Sequence, residues 1–238
     1  MALKKIKLNV YLKKFVNFCK HRYKKNLLGV GIYGSYAWGY FDKGKSDYDV
    51  FLIFKNKLRK EKKFLGKKFK RIAIHYFCTS KEMLHLIKKG HWSPYISFLV
   101  SAKMIYYSPN YKKFILTLKN MDFVKSLLST KRIEWKAKFD KECIRKSRGY
   151  KGVKYTLPAL RSRLQLLTYI KNRKLVWNLS ELIKLNLDLL DINEQKLLLH
   201  LDKIVKKRKQ NFNISEKNKS VKLLDKITKS ILLSLKTI

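Results

Sequence analysis

The sequence predicts an α/β domain with a short mixed sheet over about residues 1–112, followed by an all-α helical bundle over 113–238. Three observations lead there. Short apolar runs of strand length occupy 27–33, 48–54 and 71–77. Beyond Tyr111, apolar positions recur almost entirely at three- and four-residue spacing. The 238 residues are 46% hydrophobic with nine Gly and three Pro, enough to bury a core in each part.

The chain opens with Ile6, Val10, Leu12, Phe15, Val16, Phe18 and Cys19 at largely helical spacing, which predicts an amphipathic helix over about 3–24. The three strands follow. Between the second and third, 55–70 is so basic that a flexible connection or a solvated helix fits better than core. Ser80 ahead of Met83, Leu84, Leu86 and Ile87 predicts a capped helix over 80–89. The run 96–107 reads as a helix leading into a short strand that stops at Ser108-Pro109-Asn110. Helices are then expected within 114–128, 133–145, 160–170, 182–190, 197–205 and 221–235. Asn178 with Glu181, and Asp191 with Glu194, have the spacing of reciprocal caps. The polar stretch 210–220 interrupts the pattern before the last helix.

Lys and Arg total 57 against 16 Asp and Glu, a formal charge of +41, with a pI near 10.2. Binding an acidic partner relieves such self-repulsion, and nucleic acid is the first candidate. Lys far outnumbers Arg while Ile, Asn, Tyr and Phe are also abundant, a bias that an AT-rich genome produces without any partner. Cys19, Cys78 and Cys143 are scattered, which argues against a disulfide framework or a zinc site and for a reducing compartment. The apolar stretch 95–107 is broken by Lys103 and is too short for a membrane span. A cytoplasmic protein with no membrane partner is expected.

Only Asp42, Asp47, Asp49, Glu61 and Glu82 precede Asp122. At strand spacing Asp47 and Asp49 point to one face where the second strand begins, while Tyr48 and Val50 face the other way. Carboxylates so close favour protonation unless a cation sits between them. Mg²⁺ suits the pair because it takes carboxylate oxygen and keeps positions for phosphate and water; in so basic a chain, lysines are the alternative answer. The first strand ends in Gly34-Ser35, either an anion site of amides and a hydroxyl or a plain turn and cap. Lys43 and Lys45 reach a phosphate or belong to a solvated loop. Tyr36, Trp38 and Tyr40 stack a base or pack in the core. Arg161 and Arg163 suit bidentate phosphate contacts if they face the site.

Gly34-Ser35-Tyr36-Ala37-Trp38-Gly39, followed by Ser46-Asp47-Tyr48-Asp49-Val50, resembles the signature of the DNA polymerase β-type nucleotidyltransferase superfamily. The resemblance spans about 26–54 and extends loosely to about 107. It implies that Gly34 and Ser35 bind the phosphates of a nucleoside triphosphate such as ATP, and that Asp47 and Asp49 are metal ligands, with two Mg²⁺ ions in the full site. It also implies transfer of a nucleoside monophosphate to a hydroxyl with release of pyrophosphate. The family usually adds a third carboxylate on a neighbouring strand, whereas 71–77 contains no acid. His75 is the candidate there, as a metal ligand or base; the alternative is a half-buried core histidine. Nucleic acid, with RNA favoured, is the expected acceptor. The alternatives are a protein acceptor, as in antitoxin-like members, and a catalytically weakened protein that only binds nucleotide or nucleic acid. A cationic aminoglycoside is disfavoured by the charge.

Overall fold

The computed structural model describes residues 8–38, 41, 46–96, 98–99, 102–128, 131–207 and 212–238. The chain divides into two compact units, Met1–Asp122 and Phe123–Ile238.

The first unit holds a four-stranded sheet of β1 (Leu27–Tyr33), β2 (Tyr48–Phe54), β3 (Ile72–Thr79) and β4 (Lys103–Tyr107), in the order β3-β2-β1-β4. β2 and β3 are parallel; β1 is antiparallel to both β2 and β4. β2 lies inside the sheet and is covered on both faces from Val50 on, which explains the unbroken apolar run from there to Phe54. On one face Val50 and Leu52 join Leu12, Phe15, Val16 and Cys19 of helix α1 (Val10–Tyr23). On the other, Phe51 meets Phe98 edge-on, with ring centroids 4.4 Å apart, and Phe98 in turn meets Phe114. Gly31 is bare because the Phe51 ring fills the space a side chain would take.

Helix α2 (Gly34–Trp38) follows β1 directly, and α3 (Glu61–Lys68) lies within the basic connection between β2 and β3. α3 is a solvated helix: it buries Leu65, and Glu61 is gripped by both ends of the Arg22 guanidinium at 2.8 and 2.9 Å. Helix α4 (Ser80–Lys88) is capped by Thr79 rather than Ser80, in a reciprocal box with Glu82. Thr79 sits at the exit of β3 in extended backbone, which is what a cap requires. α5 (Trp92–Ile96) leads on to β4. The expected helix at 114–128 is two helices, α6 (Pro109–Lys119) and α7 (Phe123–Leu128). Ser108 and Pro109 start α6 a turn earlier than the apolar spacing suggests. It belongs with the sheet, since the Tyr111 ring covers Gly29.

The second unit is helical: α7, then α8 (Arg132–Lys146), α9 (Gly149–Asn172), α10 (Leu179–Lys184), α11 (Ile192–Lys207) and α12 (Ile214–Lys236). α9 is its centre, touching α8, α10, α11 and α12, with Val153, Leu160, Leu164 and Leu167 fully buried. The reciprocal cap at Asp191 and Glu194 forms as its spacing suggests, and Asn178 caps α10. α10 ends at Lys184, short of the expected 190, and turns fill the interval.

Buried among these helices, Asp140 takes Lys136 and the Tyr155 hydroxyl on Oδ1, each at 2.6 Å, and Arg163 on Oδ2 at 2.8 Å. Burial lowers the Arg163 pKa, and Asp140 opposes that shift. Removing one member of a buried pair leaves the other charge poorly answered. Asp140→Ala should therefore destabilise the helical unit by about 3–5 kcal/mol, read as a lower guanidinium midpoint in far-ultraviolet circular dichroism. An unchanged midpoint would mean that the carboxylate carries no such burden.

Candidate functional site

The site forms where β1 ends and β2 begins. Tyr33 pairs with Asp49 across the antiparallel ladder, and Asp49 pairs with Ala73 on β3. Asp49 thus lies between the last residue of β1 and an alanine. Directly after Tyr33 the chain turns at Gly34, whose φ of +67° is a left-handed conformation that side chains resist. A Cβ at Gly34 would strike the Asp49 carboxylate. Two constraints, the backbone angle and the carboxylate, therefore call for glycine here, and they bring the Gly34-Ser35 turn against the aspartate strand. Ser35 stands in the first turn of α2.

Asp47 precedes β2 and is exposed, whereas Tyr48 between the two aspartates is 3% exposed. Tyr48 packs against Tyr11, Tyr36 and Phe41 and takes a hydrogen bond from the Asn9 amide. That aromatic anchor turns Tyr48 inward and leaves Asp49 on the opposite side of the strand. Tyr36 therefore packs rather than standing free as a base platform. Lys43, Lys45, Tyr40 and the Trp38 side chain lie outside the described residues.

His75 Nε2 lies 2.9 Å from Asp49 Oδ1. Val50 pairs with Ile74 but Phe51 pairs with Tyr76, so His75 is the extra residue of a bulge in β3. Bulges re-aim side chains beside functional sites. The His75 side chain is 50% exposed. Tyr33 braces it edge-on at 5.2 Å between centroids. Burial pushes the Tyr33 phenol far above its ordinary range, with Tyr76 and Asp49 adding to the shift, so Tyr33 supports the histidine as a neutral ring. A carboxylate only accepts, so the bond places a hydrogen on Nε2.

The donor chemistry suits a hard divalent cation. Asp49 on β2 and the exposed Asp47 just before it offer carboxylate oxygens, and Mg²⁺ typically takes one or two carboxylates and fills its remaining positions with water and phosphate. Among the described residues, no group of three His, Cys, Asp or Glu side chains could hold an ion unaided.

Arg71 was not legible as a site residue. Its guanidinium donates to the Ser46 carbonyl at 3.2 Å and lies over the Tyr48 ring. Arg161 and Arg163 are engaged within the helical unit. Arg161 pairs with Asp202 at 3.1 Å, and Arg163 is fully buried against Asp140, so the helical core claims the arginine that was a phosphate candidate.

The family described as nucleotidyltransferase domain matches residues 12–222. No curated protein matches the sequence. Among solved structures, the fold is similar to that of the spectinomycin adenyltransferase AAD(9) from Enterococcus faecialis with ATP and spectinomycin. The TM-score is 0.54 at 14% identity, covering 93% of this chain and 98% of that one.

Gly34→Ala should cost about 1–3 kcal/mol, because it strains the backbone and drives a methyl into Asp49. Gly66→Ala on α3 meets nothing within 4 Å and should gain about 0.5–1 kcal/mol from helix propensity alone. Thermal melts of both variants check the opposite signs; equal shifts would count against the contact between Gly34 and Asp49.

Proposed function

The chain belongs to the nucleotidyltransferase domain family, and from that premise we propose that it moves a nucleoside monophosphate from a Mg²⁺-bound nucleoside triphosphate to a hydroxyl on nucleic acid, RNA foremost. The observation that supports the transfer chemistry is the close approach of Gly34 to the Asp49 carboxylate, which brings the turn we read as phosphate-holding against the strand whose carboxylate we read, with Asp47, as metal-binding. When bound, Mg²⁺ supplies charge neutralisation for the triphosphate and the attacking oxygen.

The chain's own residues align the reactants. Gly34 lets the backbone approach the phosphates without a side chain in the way, and Ser35 offers a hydroxyl. The acceptor oxygen attacks the α-phosphorus, and the bond from that phosphorus to the bridging oxygen breaks. Pyrophosphate leaves with the electron pair. His75 holds Asp49 through Nε2–H, and the Nδ1 of its neutral form can take the hydroxyl proton directly or through water.

The nature of the acceptor follows from the disposition of charge. Glu61 is held by Arg22 and Glu82 by Lys57, while Asp188, Glu194 and Asp202 are each within 3.1 Å of a Lys or Arg. With +41 net charge and these carboxylates already answered, an anionic acceptor is attracted and a polycation is repelled. A second reading, transfer to a hydroxyl of a small molecule, is favoured by the likeness to AAD(9), whose structure holds an antibiotic.

Incubation with each α-labelled triphosphate, Mg²⁺ and either RNA or a panel of small hydroxyl compounds separates the two. The expected result is label on RNA. Label only on a small molecule supports the second reading, and no label on either removes both. Asp47→Asn and Asp49→Asn should reduce transfer to background while remaining folded. His75→Ala should lower it by about 10- to 100-fold, and His75→Gln, which keeps a donor for Asp49, should recover part of the loss. A His75→Ala enzyme as fast as wild type would remove His75 from the site.

A further inference from the structure

The outer face of α8 carries two large aromatic side chains in water. Trp135 is 56% exposed and Phe139 44%. One helical turn apart, their rings stack with centroids 5.7 Å apart and planes only 14° from parallel. Cations attend both: the Arg132 guanidinium lies 5.6 Å from the Trp135 centroid, and Lys136 Nζ lies 4.8 Å from that of Phe139. Lys131 and Lys138 are exposed alongside. The helix has apolar residues enough for its packing without these rings, since Ile133, Ala137 and Ile144 point into the unit.

We propose that this face of α8 is a stacking platform for single-stranded nucleic acid, with Trp135 and Phe139 taking unpaired bases and Lys131, Arg132 and Lys138 tracking the phosphates. Exposed aromatic surface costs free energy in water, and a base recovers it because every base has a π face of matching width. The flanking cations suit a polyanion and stiffen the rings through cation–π contact. Charge complementarity selects this occupant over a second copy of the chain, which would bring another +41 to the same patch. It also selects it over a membrane. The remaining apolar side of α8 is buried, so two rings are all that could enter lipid, too little for an interfacial helix. The inference deepens the reading of the acceptor as nucleic acid and rests on it, but binding tests the platform whereas turnover tests the reading.

The experiment is anisotropy titration of a labelled 12-nucleotide single-stranded RNA, and of a 12-base-pair RNA duplex, with the full chain over a range of salt. Trp135→Ala and Phe139→Ala should each weaken single-strand binding by about tenfold or more. They should leave the slope against salt and the affinity for duplex unchanged, because stacking releases no counterions and needs unpaired bases. Trp135→Tyr should restore most of the affinity. The triple variant Lys131→Ala/Arg132→Ala/Lys138→Ala should instead reduce the single-strand salt slope by about 2.

Ring variants that bind the single strand as wild type does, or that lose duplex and single strand equally, overturn the platform. So does a wild type that sediments as a dimer and a Trp135→Ala variant that is monomeric, which would make the face a self-association surface. Tryptophan fluorescence that responds to anionic vesicles but not to the strand, and loses that response in Trp135→Phe, would assign the face to lipid, with the same consequence. Failure of the acceptor reading looks different: the strand binds through the rings but receives no label from any triphosphate.

Discussion

The Asp49 carboxylate occupies the space a side chain at residue 34 would need, and the geometry of the site descends from that contact. It holds only if β1 and β2 keep their register, Tyr33 opposite Asp49. A slip of one residue would turn Asp49 to the α1 face and bring Val50 out towards the Gly34 turn. The register is secured elsewhere, by Val30, Ile32, Val50 and Leu52 under α1 and by Phe51 under Phe98. Tyr48, locked among Tyr11, Tyr36 and Phe41, prevents the strand's first residue from rotating. The hydrophobic core thus aligns the carboxylates, and the glycine records how closely the turn approaches them.

Much of this was legible in the residues. The bounds of β1 and β2 follow from their apolar runs, because both strands are buried and such runs end where polar turns begin. Asp47 and Asp49 stood out through scarcity: in a chain with 16 acids among 238 residues, two that flank a single tyrosine are conspicuous. Less legible were features decided by packing between distant segments. The bulge that lifts His75 towards Asp49 depends on how β3 pairs with β2 and leaves no trace in alternation. Arg163 looked like a phosphate contact because arginine in a basic chain reads as surface, yet Asp140, 23 residues away, draws it into the core. The break between α6 and α7 is hidden by apolar spacing that runs across it.

Charge links the site to the rest of the molecule. Many of the acids are engaged in ion pairs or caps, as with Glu61, Glu82, Glu194 and Glu216. The excess of lysine is therefore the field that an incoming ligand meets, and it favours polyphosphate and polynucleotide alike. Within that field Asp47 and Asp49 are a local reversal of sign beside a turn suited to phosphate. Such a reversal makes sense where a metal ion accompanies a nucleotide, since carboxylates alone would repel the phosphates.

Phosphorus NMR of a single reaction mixture containing the protein, Mg²⁺, a nucleoside triphosphate and RNA tests the central claim most directly. The account predicts pyrophosphate accumulating in equal amount to nucleoside monophosphate joined to RNA through a phosphodiester, with neither product formed by Asp49→Asn. Orthophosphate and nucleoside diphosphate as the products would contradict it, because they require the bond to break at the γ-phosphorus instead of the α-phosphorus.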